Sequence, residues 1–153
     1  MSKLAWAYII GILLGATLLG ISAWQQAEAT LPQLMLLAIL IVITTGAHLF
    51  EAKAPDNQTY YPSMIFLFVG VLLLPPGMFV LLALMPHLVE WVRERLTQGE
   101  RLRAWYLQPF NIATHIIAGI SALVLYTNLL RFDSELPLGM PVLAAICAAL
   151  AYV

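Results

Sequence analysis

Long apolar runs, separated by short polar breaks, organise this chain. Residues 4–24 carry no charged side chain. At about 1.5 Å per residue, such a helix reaches about 30 Å, the thickness of a bilayer core. Further apolar runs cover residues 31–50, 63–74, 78–92, 109–130 and 137–153. The pattern predicts an all-α fold, a polytopic transmembrane helical bundle of about six spans, forming a single membrane domain over 1–153.

The third and fourth runs are less regular. Residues 63–74 make only about 18 Å of helix. Pro75-Pro76-Gly77 then forces a turn, and Pro86 interrupts the fourth run. Two arrangements fit. The pair forms two short tilted spans that thin the bilayer, or a re-entrant helical hairpin shielded by other helices. Both put residues 51–62 and 93–108 on the same side.

Local signals agree with these spans. Trp6 and Tyr8 lie near one end of the first run and Trp24 at the other, as interfacial aromatics do. Pro32 falls in the first turn of the second run, where a missing N–H costs little. Pro55, Asp56 and Asn57 favour turns in the 51–62 break. The sixth run reaches Val153 with no cap, charge or polar flank. The expectation is a chain truncated before a cytoplasmic domain.

Composition strengthens the membrane reading. The chain is 62% hydrophobic and 10% charged, with a mean hydropathy of +0.91. A soluble domain is about half apolar and about a quarter charged. With the N-terminus in the cytoplasm, Lys3, Lys53, Arg93, Arg95, Arg101 and Arg103 lie inside and Arg131 alone lies outside. That is a positive-inside distribution, and six spans return the C-terminus to the cytoplasm. A net charge of −1 and the lack of a basic tail give no reason to expect nucleic acid. The lone Cys147 excludes an intramolecular disulfide.

The orientation brings His48, His87 and His115 to the cytoplasmic-side part of the membrane, with Glu51 and Glu90 at similar depth. His87 and Glu90 are three apart and share a helix face. Asn111, Thr114 and His115 open the fifth run. His48, His87, Glu90, Asn111, Thr114 and His115 are therefore the candidate ligand-binding residues. Gln33, Thr44, Thr45, Ser121 and Asn128 add further intramembrane polar groups. Imidazoles suit a metal, haem or proton site. No HxxxH or HExxH pair lies on one helix, so the sequence assigns no metal ligand and leaves any cofactor unknown. The competing reading is a structural cluster of interhelical hydrogen bonds, worth about 1 kcal/mol or less each. Gly11-x-x-x-Gly15 suits close packing within the chain or a homodimer face. Asn57-Gln58-Thr59 matches a glycosylation acceptor but falls on the cytoplasmic side. No phosphate-binding glycine loop, GxSxG or Cys-rich site is present, and no catalytic residue is assigned.

From 51 to 126 the order of features carries a resemblance. A polar loop ends in Tyr61-Pro62-Ser63, and a short apolar run leads to Leu74-Pro75-Pro76-Gly77. The next run ends in Leu88-Val89-Glu90-Trp91-Val92-Arg93-Glu94-Arg95. Ala104-Trp105-Tyr106 follows, then Pro109-Phe110-Asn111. This order resembles the N-terminal membrane-sensor regions of bacterial signalling proteins that carry cytoplasmic HD-GYP or GGDEF domains. The resemblance covers about half of the chain. It implies a sensory or anchoring module of the bacterial inner membrane, without an enzymatic domain of its own. The alternatives are a small transport subunit, supported by the broken third and fourth runs, and an accessory subunit of a membrane complex.

Overall fold

A computed structural model describes residues 2–25, 29–50, 52–53, 59–60, 62–98, 106–131 and 139–152. Glu51, Asn57, Arg101, Arg103 and Trp105, named above, lie outside them. The described residues form α1 (Lys3–Gln25), α2 (Leu31–His48), α3 (Ser63–Leu73), α4 (Pro76–Gln98), α5 (Leu107–Arg131) and α6 (Gly139–Tyr152). Between α2 and α3, β1 (Ala52–Lys53) and β2 (Thr59–Tyr60) pair antiparallel, Ala52 opposite Tyr60 and Lys53 opposite Thr59. The fold is all-α, and each helix lies on one of the six apolar runs.

Among the described residues, three helices are long and apolar enough to cross a membrane: Lys3–Gln25, Leu31–His48 and Leu107–Leu130. They mark the chain as a membrane protein. Ser63–Leu73 and Pro141–Tyr152 are shorter apolar helices. The outer surface agrees with this. Leu14 is 60% exposed, Leu18 69% and Val42 72%. An aqueous surface rarely carries so continuous an apolar area, whereas lipid tails cover it without cost.

Proline and glycine shape the α3–α4 hairpin. Leu74 is extended, at φ −103° and ψ 149°, because the ring of Pro75 disfavours helical geometry in the residue before it. The Leu74 amide donates to the Gly70 carbonyl at 2.9 Å and closes α3. The amides of Met78 and Phe79 donate to the Pro75 carbonyl at 2.9 and 3.1 Å and open α4. Pro76, the first residue of α4, has no N–H that needs a partner there. Further on, Pro86 lies inside α4 and is fully buried. It has no N–H for the Leu82 carbonyl, yet the helix runs through to Gln98. Arg93, Glu94, Arg95 and Leu96 are good helix formers and carry α4 past the apolar run.

The core lies around this hairpin. Leu67, Val71, Phe79, Leu82 and Ala83 are buried together. Gly119 of α5 leaves the space that the Phe79 ring fills, and Gly70 of α3 receives Leu82. A Cβ at either glycine would collide with its neighbour. These two approaches seat α4 against α3 and α5. Gly11, by contrast, faces open space, and Gly15 meets only Ile117 at 3.9 Å.

Ring contacts fix the direction of packing. Trp6 meets Tyr106 at 5.7 Å and Tyr8 meets Phe110 at 6.0 Å, so α1 and α5 begin at the same end. Gly20, near the end of α1, approaches Val80 at the start of α4. The α3–α4 turn therefore lies beside the last turns of α1.

Candidate functional site

Polar side chains gather at the end of the bundle opposite that turn. The α2 stripe Leu37, Leu40, Thr44, His48 is buried and keeps helical spacing, so His48 faces inward at the end of α2. On α4 the stripe Phe79, Leu82, Ala83, Pro86, His87 is buried. Glu90 continues that face one turn on. Ser63 opens α3 and is buried. Gln108 and His115 lie in the first turns of α5, and Tyr152 ends α6.

Glu90 is the hub. Its Oε2 lies 3.1 Å from His48 Nε2 and 3.8 Å from His87 Nδ1. It also accepts from Gln108 Nε2 at 2.8 Å. The Gln108 amide oxygen faces His87 Nδ1 at 3.1 Å, and His48 Nδ1 faces the Ser63 hydroxyl at 3.0 Å. Ring contacts extend the cluster. His48 meets His87 edge-on at 4.6 Å, and His87 stacks on His115 at 5.3 Å. His115 Nδ1 then reaches the Tyr152 hydroxyl at 3.1 Å. The chain of contacts crosses α2, α3, α4, α5 and α6.

The hydrogen bonds assign the ring protons. An ionised carboxylate only accepts, so the amide of Gln108 must turn its NH₂ to Glu90 and its oxygen to His87. His87 Nδ1 then carries hydrogen and donates to that oxygen. In the neutral ring, Nε2 is left as a bare lone pair. This Nε2 is buried and has no hydrogen-bond partner among the described residues. His48 in turn donates from Nε2 to Glu90 and accepts at Nδ1 from Ser63. Among the described residues, the ion-pair partners of Glu90 are His48 and His87. One ligand atom each from His48, His87 and Glu90 lies within 4.8 Å of the others, a grouping that could hold a metal ion.

A cleft of about 430 Å³ reaches this cluster between α4 and α5. His87 and Gln108 line its inner wall, and Trp91 and Arg95 line it further out. The Arg95 guanidinium sits 4.6 Å above the Trp91 ring, a cation–π contact that holds it along the wall.

Four of the six sequence candidates, His48, His87, Glu90 and His115, come together here. The other two do not join the cluster's hydrogen bonds. Asn111 is exposed, and the Thr114 hydroxyl donates to the Asn111 carbonyl of its own helix at 2.8 Å. Ser63, Gln108 and Tyr152 belong to the cluster and were not named from sequence. Each stands within a turn of a helix end, where polar residues are ordinary. Gln33 is spent locally, its Oε1 accepting from the Thr30 amide at 3.0 Å. Ser121 and Asn128 are exposed. No family model, curated protein or solved structure matches the chain.

Proposed function

We propose that the chain is a sensory or anchoring module of a bacterial inner membrane, with six spans and both termini cytoplasmic. It would couple a ligand or membrane signal to a cytoplasmic output domain beyond α6. The observation that carries this reading is the polar chain from Ser63 to Tyr152, which ties five helices at one end of the bundle. A signal that favours one arrangement of Glu90 and its partners would favour one arrangement of all five helices. Such differential interaction with two states is what a switch requires. The reading of α3 and α4 as two short spans, rather than a shallow re-entrant pair, draws support from Val80 beside Gly20. The resemblance to sensor regions of HD-GYP and GGDEF proteins supplies the output class, cyclic-dinucleotide turnover.

The test is made on the complete protein in its own membrane. Glu90→Gln and His48→Ala should each change output-domain activity several-fold at equal membrane abundance. An output indifferent to both would defeat the sensory reading. Solute uptake by vesicles holding this protein would favour the transport alternative instead.

A further inference from the structure

We propose that His48, His87 and Glu90 bind a divalent first-row transition-metal ion, zinc in the first instance. The site goes beyond the sensory reading and holds whether or not the chain signals.

The donor set is the first argument. Two imidazoles and one carboxylate are the ligands of many three-coordinate protein sites that leave a fourth position open. Around a tetrahedral ion with bonds of about 2.0 Å, ligand atoms stand about 3.3 Å apart. Here Glu90 Oε2 is 3.1 Å from His48 Nε2, and one ligand atom from each of the three residues lies within 4.8 Å of the others. Shifts of about an ångström, available to side-chain rotation, would bring the three onto one ion.

Charge is the second argument. Glu90 is a carboxylate with 17% of its side chain exposed, among helices that bury its partners. An anion so far withdrawn from water is stabilised by a counter-charge. Its ion-pair partners among the described residues are two imidazoles, which are neutral when they act as ligands. A divalent cation supplies the positive charge while leaving both rings neutral.

The third argument is the outer shell. Metal-bound histidines donate their second nitrogen to an oxygen that fixes the ring. His48 faces Ser63 Oγ at 3.0 Å and His87 faces Gln108 Oε1 at 3.1 Å, so each ring has that oxygen in place. His48 can exchange its tautomer, since the Ser63 hydroxyl both donates and accepts. Nε2 of His87 adds a buried lone pair with no partner among the described residues. Such a group costs about 1–3 kcal/mol left unsatisfied, and a cation is one way to satisfy it.

Access completes the case. The cleft lined by His87, Trp91, Arg95 and Gln108 opens onto one of the ligands, His87. It has room for water or a small ligand beside that ring.

The experiment uses the whole chain in detergent, stripped with chelator and reloaded with Zn²⁺ or Co²⁺. We expect one ion per chain after desalting, by elemental analysis, and a Co²⁺ visible spectrum of low-coordinate type. Zn²⁺ should also raise the thermal midpoint of the unmodified protein, a measurement that needs no variant. His48→Ala, His87→Ala and Glu90→Gln should each weaken Co²⁺ binding at least about tenfold, in protein that keeps its helical content and elutes as one species. Tyr152→Phe, which touches only His115 in this cluster, should leave binding unchanged. Unmodified protein that retains no ion and shows no thermal shift overturns the proposal. So does undiminished binding in a folded variant lacking both histidines. An output indifferent to Glu90→Gln and His48→Ala, in a protein whose unmodified form binds the ion, would retire the sensory reading and keep the site.

Discussion

The first turns of α4 and its middle use the same helix in opposite ways. Near the turn, Phe79 and Leu82 fill spaces left by Gly119 and Gly70, and shape alone decides the fit. About one and a half to two turns past Leu82, His87 and Glu90 meet partners through directed hydrogen bonds, and chemistry decides the fit. Apolar packing in a membrane gains nothing from leaving water, so the first turns depend on close contact. The polar middle depends on each donor meeting its acceptor. α4 is fastened in its first turns by volume and at its middle by pairing, and the two should fail differently.

The apolar turns should fail most severely. Leu82→Ala empties a fully buried position and should cost about 2–5 kcal/mol, measured as loss of resistance to denaturing detergent. Next comes Gly119→Ala, which drives a methyl into the Phe79 ring. It should cost about 1–3 kcal/mol, and Phe79→Leu in the same chain should recover part of that loss by making room. Absence of recovery would show that the two side chains are not each other's limit. The polar middle should respond more weakly in stability. His48→Ala removes the interhelical hydrogen bonds to Glu90 and Ser63, and about 1–2 kcal/mol is expected because such bonds in membranes average about 0.6 kcal/mol each. Tyr152→Phe removes one neutral partner from His115 and should cost about 0.6 kcal/mol. Thr114→Val, which alters only a bond within α5, should stay within about 0.5 kcal/mol. If the histidine variant proves costlier than Leu82→Ala in the same assay, the division between volume and pairing is wrong.

Much of this contrast was legible in sequence, but unevenly. Every helix lies on an apolar run, because a run without charge in a membrane chain has few other options. Helix ends moved by small amounts where local chemistry intervened. α4 runs on to Gln98 through good helix formers, and α2 closes at His48. His87 with Glu90 was legible because a spacing of three fixes a shared face. His48 and His115 were legible by depth alone, which follows from orientation. Rotation was not legible. The polar residues of α5 are spread around the helix, so its sequence does not say which face turns inward. Asn111 was therefore named alongside His115 and proves to face outward. The metal grouping was hidden because its histidines come from α2 and α4, thirty-nine positions apart, and no single-helix motif announces it.

The hydrogen bond between His48 and Ser63 has one more consequence. It joins residues fifteen positions apart, and the ladder of Ala52 with Tyr60 narrows the same segment again. A connection whose ends are already held together costs little more when it is lengthened. Doubling a flexible loop adds only about 0.6 kcal/mol of closure entropy. A peptide inserted between Lys53 and Thr59 should therefore leave the register of all six helices intact. That stretch is the natural place for a handle by which the bundle can be captured, labelled or oriented.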